Sequence, residues 1–272
     1  MKLIMKNQQP TVSIIMPAFN AARYIKATLE SVLKQTFEDW ELLIVNDCST
    51  DNTGELVEKY KIREPRIHLI NLTENKGAPA GPRNIGVRKA RGQWIAFLDS
   101  DDIWHPEKLK RQLDVLKKTK SKFCSTQMVD FRGDEIPELN DAAENQIEWI
   151  SFTRQLIKFR TPTSSVVADK ALLLKYPFNE DMTYKAREDL DCWLHCHEEI
   201  GKSVKITTPM MGYRIIDGQI SGKKWVMFKR HLHVLRNYHR LSGRKLYFSE
   251  ALLFTLTHFT LSFYYRFAKS VL

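Results

Sequence analysis

Apolar runs alternate with segments of helical periodicity through the first hundred residues. The run at 11–19 predicts a buried strand, and residues 21–35 place Ile25, Leu29, Val32 and Leu33 on one helical face. Further apolar runs at 41–47, 66–71 and 94–99 predict strands, with helices expected after residue 48 and around 85–90. This β-α-β-α-β-α-β order predicts a parallel sheet with helices on both faces.

Polar side chains follow these strands where each one ends. Asn20 follows the first strand, Asp47 ends the second, and Asp99, Asp101 and Asp102 end the fourth. Ligands of such sheets bind beyond the carboxyl ends of the strands. Crowded acids raise one another's pKa unless a cation holds them, and Mg²⁺ or Mn²⁺ in turn commonly binds a diphosphate. The pattern predicts a metal and diphosphate crevice at this edge.

The familiar glycine-rich phosphate loops are missing from the sequence. It contains neither G-x-G-x-x-G after the first strand nor G-x-x-x-x-G-K-[ST] anywhere. This argues against a dehydrogenase and against a P-loop ATPase, so a nucleotide would have to be held by metal and side chains.

The positive charge is concentrated at the C-terminus. The 272 residues carry a net charge of +10, and residues 223–272 hold ten Lys and Arg against one acid, Glu250, for a local charge of +9. The nearly neutral first 222 residues do not suggest a nucleic-acid binder. We therefore divide the chain into a catalytic domain at 1–222 and a helical extension at 223–272.

Cysteine usage and the N-terminus favour a reduced, cytoplasmic setting. Four scattered cysteines do not suggest a disulfide framework, and the first ten residues are too weakly apolar for a signal peptide. Cys192 and Cys196 alternate with His195 and His197, which is compatible with a metal site. The preferred interpretation is a helix with its apolar side chains in the core.

Five motifs occur together in one order: "PAFN", "VNDCSTD", "GPRNIG", "FLDSDD" and "REDLDCW". Together they resemble the family 2 glycosyltransferases, inverting enzymes of the GT-A fold that use nucleotide sugars, over residues 11–215. The resemblance implies an α/β fold with a Rossmann-like, mostly parallel sheet flanked by helices, followed here by a C-terminal helical appendage.

The resemblance also implies residue roles. Asp189 matches the general base, with Glu188 and Asp191 as neighbours that orient it or bind acceptor, and Asp101 and Asp102 match the metal-facing acids for Mn²⁺ or Mg²⁺. The residues expected to contact the nucleotide sugar are Pro17, Ala18, Asn20, Asp47, Arg83, Asn84, Asp99, Ser100, Arg214 and Ser221.

Several of these assignments have alternatives that the sequence leaves open. Asp47 could be a helix-capping or turn residue, and Pro17, Ala18 and Asn20 could only shape a turn. Arg83 could be a solvated helix residue, and Asp102 could cap the helix that begins near Pro106. Glu188 and Asp189 are adjacent, so choosing Asp189 rests on resemblance. Residues 161–169 predict a strand beside the acceptor side.

The C-terminal extension predicts a basic helix followed by an aromatic-rich apolar one. The run 246–265 is long enough to span a bilayer, but Glu250 and His258 make spanning costly. The preferred interpretation is a helix lying on an anionic membrane surface. Packing on the catalytic domain or in a homo-oligomer is the alternative.

These observations predict an inverting, metal-dependent glycosyltransferase at the inner face of the cell membrane. It would move a sugar, most simply from a UDP-sugar, to a glycan or lipid-linked acceptor in bacterial surface polysaccharide synthesis. A sugar-1-phosphate nucleotidyltransferase is one alternative, although "MPAFNAARYI" lacks its glycine-rich loop. A non-catalytic membrane-associated scaffold is another, although Asp99, Asp101 and Asp189 are all present.

Overall fold

The first four strands form the parallel sheet that the sequence predicts. In the computed structural model, which describes residues 9–135, 137, 139, 146–158, 161–216, 218 and 223–271, they lie in the order β3-β2-β1-β4. Their bounds are Val12–Ala18 (β1), Trp40–Asn46 (β2), Ile67–Asn71 (β3) and Trp94–Phe97 (β4). All seven residues of β1 and of β2 are buried, as expected when helices cover both faces.

The helices between these strands follow the predicted order. They are α1 (Ile25–Leu33), α2 (Thr53–Arg63) and α3 (Ala80–Lys89). Leu29 and Val32 of α1 are completely buried in the same apolar cluster as Val12 and Ile14 of β1. The helical periodicity therefore gives the correct inward face.

The rest of the sheet is mixed. After β5 (Ile103–Trp104) and α4 (Lys108–Thr119) come β6 (Phe123–Phe131), β7 (Ile147–Ser151), α5 (Phe152–Ile157), β8 (Val167–Asp169), α6 (Lys170–Lys175), α7 (Glu188–Ile200) and β9 (Lys202–Arg214). β8 runs antiparallel to both β4 and β6, whereas β9 runs parallel to β6 and antiparallel to β5 and β7. The α/β fold is confirmed. The parallel portion with the most strands is β3-β2-β1-β4.

The strand predicted at 161–169 is shorter in the structure. A 3-10 turn at Thr163–Ser165 precedes β8. The Ser165 amide and hydroxyl both donate to the carbonyl of Pro162, at 3.0 and 2.6 Å, and these bonds close the turn. The turn brings the 161–165 segment to the carboxyl end of β4.

The C-terminal helices α8 (Lys224–Asn237) and α9 (Phe248–Val271) pack on the catalytic part of the chain. Val234, Leu235 and Ala251 share an apolar cluster with Leu190 and Leu194 of α7. We call α8 and α9 the C-terminal hairpin, and its inner face is buried by packing on α7. The division of the chain into two domains at residue 222 stays a prediction. Within the described ranges, no helix combines the length and hydropathy needed to cross a bilayer.

Gly86 of α3 lies against β1 so closely that a side chain would not fit. A Cβ there would approach Ile15 Cγ2 to 2.4 Å. We expect Gly86→Ala to lower the free energy of unfolding by about 1–3 kcal/mol, because the core is already filled. Urea denaturation measures the change. Gly54→Ala in α2 is the matched control, since its Cβ would meet no atom closer than 3.4 Å. This variant should stabilise the fold, because Ala loses less conformational freedom in a helix than Gly does. Equal effects in the two variants would contradict the packing argument.

Candidate active site

The loops after β1 and β2 are joined by Asn20. Its backbone is left-handed, with φ 48°, and its side-chain carbonyl accepts the Thr50 amide at 2.8 Å. The Asn20 amide in turn donates to the Ser49 hydroxyl. Pro17 and Ala18 are the last two residues of β1 and are buried. Asn20 thus fixes the two loops that flank the first part of the crevice.

Asp47 follows β2 and is almost completely buried. One carboxylate oxygen accepts the Lys76 amide at 2.7 Å, and its carbonyl accepts the side-chain amide of Asn75 at 2.8 Å. These bonds hold the 75–77 loop beside the strand end, so the turn interpretation has support. The nucleotide-base contact of Asp47 stays a prediction.

Arg83 of α3 connects the two acidic motifs. The side chain is buried, with Nη2 2.6 Å from Asp99 Oδ1 and Nη1 3.1 Å from Glu188 Oε1. The guanidinium also lies 5.4 Å from the centroid of the Phe178 ring. The Arg83 pKa is raised because the attraction of Asp99 and Glu188 outweighs burial, which acts the other way. The interpretation of Arg83 as a solvated helix residue is wrong.

The neighbouring Asn84 has a different task. Its amide group donates to the Phe178 carbonyl and to Glu180 Oε1, both at 2.8 Å, and its carbonyl accepts the Phe178 amide at 3.0 Å. Asn84 therefore holds the 178–180 segment against α3. The predicted contact with the nucleotide sugar is left without direct support.

The acids after β4 lie in different environments. Asp101 is partly exposed, and burial together with repulsion from Asp99 raises its pKa to about 6. Asp102 is only 1% exposed, and its pKa is raised well above the ordinary value by burial and by the charges of Asp101 and Asp99. Asp102 Oδ2 is buried and meets no well-oriented hydrogen-bond donor within the described part of the chain, and the neighbouring Ser164 side chain offsets the rise of the Asp102 pKa only in part. Negative charge is therefore in excess at this turn.

Arg214 holds the same turn from the end of β9. Its amide donates to Asp102 Oδ1 at 3.0 Å, and its Nε donates to the Asp101 carbonyl at 2.9 Å. The guanidinium lies between the rings of Tyr24 and Phe131, 4.8 and 4.4 Å from their centroids. Arg214 is thus built into the turn, and its predicted contact with the diphosphate stays a prediction.

Ser100 and Ser221 are the remaining residues predicted to contact the nucleotide sugar. Ser100 is partly exposed, and its carbonyl accepts the hydroxyl of Thr28 at 3.0 Å. Ser221 lies outside the described residues. The helix-cap alternative for Asp102 has no support, because α4 begins after Glu107 without a side-chain cap.

The second acidic motif begins α7. Ala186 precedes it with φ 65°, a left-handed conformation that a non-glycine residue rarely adopts. Glu188 is buried on Arg83, whereas Asp189 is partly exposed. Among the described residues, Asp189 accepts its neighbour's amide and a long hydrogen bond, 3.3 Å, from the Thr163 hydroxyl, and the charges of Arg187 and Arg83 act on it. Burial raises the Asp189 pKa. Of this adjacent pair, Asp189 is the better placed to accept a proton.

Asp191 lies on another side of α7. Asp191 Oδ2 lies 3.9 Å from His195 Nδ1, and the His195 ring contacts the ring of Tyr238 at the end of α8, with 4.5 Å between the centroids, so this carboxylate lies on the side of α7 that faces the C-terminal helices. The alternative metal site nearby has no support either, since both ring nitrogens of His197 are engaged by Trp193 and Ser203. Among the residues that the structure describes, no three His, Cys, Asp or Glu side chains are grouped to hold a metal.

Ser164 is a site residue that sequence reasoning missed. Its hydroxyl accepts the Asp99 amide at 3.0 Å, and its carbonyl accepts the Trp104 indole N–H at 2.8 Å. The run "TPTSS" contains a signal that could have found it, because Pro followed by Thr and Ser is typical of a turn.

Comparisons with known proteins show the family of the chain. The family model described as glycosyl transferase family 2 matches residues 13–181, well over half of the chain. The chain belongs to this family. It is 32% identical over 254 residues to TuaG of Bacillus subtilis, a glycosyltransferase assigned to teichuronic acid biosynthesis, covering 89% of this chain and 93% of TuaG.

Two further comparisons extend the family assignment. WfgD of Escherichia coli, a UDP-Glc:α-D-GlcNAc-diphosphoundecaprenol β-1,3-glucosyltransferase, is 36% identical over 234 residues, covering 84% of this chain and 86% of WfgD. Staphylococcus aureus TarS 1–349 with UDP-GlcNAc matches with a TM-score of 0.68 at 23% identity, covering 92% of this chain and 73% of TarS. That structural likeness shows the fold, and the family shows that the chain is a glycosyltransferase.

The bridge made by Arg83 should dominate the stability of the site. We expect Arg83→Met to lower the free energy of unfolding by about 3–5 kcal/mol, because Glu188 would remain buried without a partner. Urea denaturation at pH 7.5 gives the value. Arg83→Met/Glu188→Leu should regain most of the loss, since it buries no unpaired charge at 188. A double variant as unstable as the single one would refute the bridge as the cause.

Proposed function

We propose that this enzyme moves a sugar from a UDP-sugar to a hydroxyl of a lipid-linked saccharide in bacterial surface polysaccharide synthesis, with inversion at the anomeric carbon. The relatives support this substrate class: WfgD uses UDP-Glc and a diphosphoundecaprenol-linked acceptor, and TarS was solved with UDP-GlcNAc. The enzyme would work from the inner face of the cell membrane, where such acceptors are presented.

The separation of the two acids by Arg83 carries the proposal. One buried guanidinium pairs with both Asp99 and Glu188, while Asp101, two residues after Asp99, and Asp189, next to Glu188, stay partly exposed. Direct displacement of a diphosphate needs charge compensation on the leaving group and a base on the opposite face of the sugar. Asp101 would supply the charge compensation through a divalent cation that it holds, and Asp189 would supply the base.

The residues after β4 fit a divalent cation. The raised pKa values of Asp101 and Asp102, and the buried Asp102 Oδ2 without a well-oriented donor, report negative charge that the described side chains do not balance. We assign Asp101 to the cation, with Asp102 close by. Mn²⁺ or Mg²⁺ commonly takes one or two protein carboxylates and completes its shell with phosphate oxygens and water, so no cage of three protein ligands is required. When bound, the cation stabilises the negative charge that develops on the diphosphate.

Asp189 removes the proton from the attacking hydroxyl. Its raised pKa makes it a stronger base than an ordinary Asp, and Thr163 limits its orientation through the bond at 3.3 Å. As the hydroxyl oxygen forms a bond to the anomeric carbon, the bond to the diphosphate breaks on the other face and the proton passes to Asp189. Arg83 keeps Glu188 out of this exchange.

The assignment of Asp101 predicts opposite effects on activity and on stability. We expect wild type to release nucleotide diphosphate from a UDP-sugar with Mn²⁺ or Mg²⁺ and to lose this activity with EDTA. Asp101→Asn should abolish the release. The same variant should melt a few degrees higher at pH 7.5, at about 2–4 °C per kcal/mol for a protein of this size. The folded pKa of about 6 lies above the ordinary 3.8, so the charged form costs stability as pH rises from about 4 to about 6.

The gain in melting temperature should therefore shrink toward pH 4. Calorimetry without metal, at both pH values, measures it. Near-normal, metal-dependent turnover in Asp101→Asn would refute the cation assignment.

The assignment of Asp189 predicts a loss confined to the transfer step. Asp189→Asn should bind donor normally in calorimetry but transfer sugar about 10²-fold or more slowly. Asp191→Asn is the matched control, because it removes a carboxylate two residues away that faces the C-terminal helices, and it should stay close to wild type. In wild type, the raised pKa should move the acid limb of kcat/KM to higher pH than an ordinary Asp gives. Equal losses in the two variants would sink the assignment.

A further inference from the structure

The outer side of α9 carries an apolar stripe that no other described element covers. The inward positions 251, 255 and 258 are at most 5% exposed. The opposite positions follow the same helical spacing, and there Leu253 is 61%, Leu256 is 49% and Phe263 is 69% exposed. A soluble surface rarely repeats large apolar side chains in this way, and such a stripe marks a binding surface.

Exposed aromatic rings and cations lie together on the same hairpin. Trp225 of α8 is 66% exposed, with the Lys229 amine 5.5 Å from its ring centroid. Arg236 lies 5.3 Å from the centroid of Phe248, which is 57% exposed. Phe228, near the start of α8, packs on Phe259 in the middle of α9, with 5.4 Å between the centroids, whereas Arg236, near the end of α8, meets Phe248 at the start of α9. The two helices therefore run antiparallel. Rings with neighbouring cations suit the boundary between lipid headgroups and acyl chains.

The charge of this segment identifies its partner. Residues 223–272 carry +9, and Glu250, their one acid, is paired with Arg244 at 2.7 Å. Two copies of such a surface would repel each other, which disfavours a homodimer through this face. An anionic lipid surface would instead attract both the cations and the apolar stripe.

We propose that the outer face of the α8–α9 hairpin docks on an anionic lipid bilayer and lies along its surface. We call this the docking face and define it by Trp225, Lys229, Arg236, Leu253, Leu256 and Phe263. The apolar side chains enter the acyl boundary while Lys229 and Arg236 meet the headgroup phosphates. The docking face is thus the part of the chain that contacts the membrane in this proposal.

The inner side of the hairpin contacts the catalytic segment. The ring of His233 in α8 contacts the ring of Tyr184, with 5.3 Å between the centroids, and Tyr184 lies only a few residues before Glu188. The Tyr238 hydroxyl donates to Glu198 of α7 at 2.7 Å. A docked hairpin would thus hold α7, and with it Asp189, near the bilayer. This consequence for a lipid-linked acceptor rests on the proposed function, whereas docking does not.

Vesicle co-sedimentation of the full chain without donor tests the docking face. We expect binding to vesicles that contain phosphatidylglycerol, little binding to pure phosphatidylcholine, and weakening by salt. Leu253→Ser/Leu256→Ser should weaken binding about tenfold or more through lost apolar burial. Lys229→Glu/Arg236→Glu should weaken it about 30-fold or more, since each basic residue contributes about a factor of five at an anionic surface.

Matched controls lie on other elements. Ile62→Ser in α2 removes an apolar side chain that is 82% exposed, and Lys59→Glu/Lys117→Glu makes the same charge reversal on α2 and α4. Both should bind vesicles nearly as wild type does. Circular dichroism and donor turnover should match wild type in all four variants, which separates failed docking from a failed catalytic assignment.

Three results would overturn the proposal. Wild type could fail to bind the anionic vesicles, or the controls could lose binding as strongly as the docking-face variants. Analytical ultracentrifugation could instead show a dimer that Leu253→Ser/Leu256→Ser dissociates, and the face would then be an interface between copies of this chain.

Discussion

A single buried cation organises the catalytic crevice. Arg83 reaches Asp99 on one side and Glu188 on the other, across 105 positions of sequence between Arg83 and Glu188. Burying a guanidinium is costly unless it is paired, and here it is paired with two carboxylates, Asp99 and Glu188. The position of α7 relative to the end of β4 is therefore fixed by electrostatics as well as by packing. The partly exposed acids beside each partner keep the freedom to meet substrate.

The turn after β4 is held in a second way, by main-chain groups. Arg214 donates to Asp102 and to the Asp101 carbonyl, and Ser164 accepts the Asp99 amide. These contacts come from β9 and from the 3-10 turn before β8, the antiparallel and late elements of the sheet. The parallel half supplies the acids and the mixed half fixes their orientation. Under the proposed cation role, a displaced Asp101 would cost both cation binding and alignment of the leaving group.

Periodicity and motif order predicted the fold because they depend on local sequence. The buried strands β1 and β2 and the inward face of α1 follow directly from apolar spacing. The sequence could also place Asp99 and Asp189 in separate acidic motifs. The Arg83 bridge could not be predicted, since nothing local in "GPRNIG" shows which distant acids will surround a guanidinium.

The roles of Asn84, Arg214 and Asp191 were hidden for the same reason. Asn84 turns to the 178–180 backbone, Arg214 lies under the acidic turn, and Asp191 faces the C-terminal helices. Which way a side chain points depends on pairs that form only after the sheet closes. The 3-10 turn at 163–165 likewise replaced part of a predicted strand, because Pro162 offers its carbonyl to Ser165.

The left-handed backbone at Ala186 has a consequence for how this enzyme could diversify. A non-glycine residue in that conformation is strained, and it persists only where surrounding contacts hold it. Two such contacts flank Ala186 in the sequence: the Tyr184 ring packs on His233 of α8, and Glu188 accepts a hydrogen bond from Arg83. Exchange of the C-terminal helices would remove the contact of His233 with Tyr184, and with it one support of this conformation. Changes in the hairpin would therefore have to stay compatible with the 182–187 turn, and a chimera that exchanges the hairpin should take both segments from one parent.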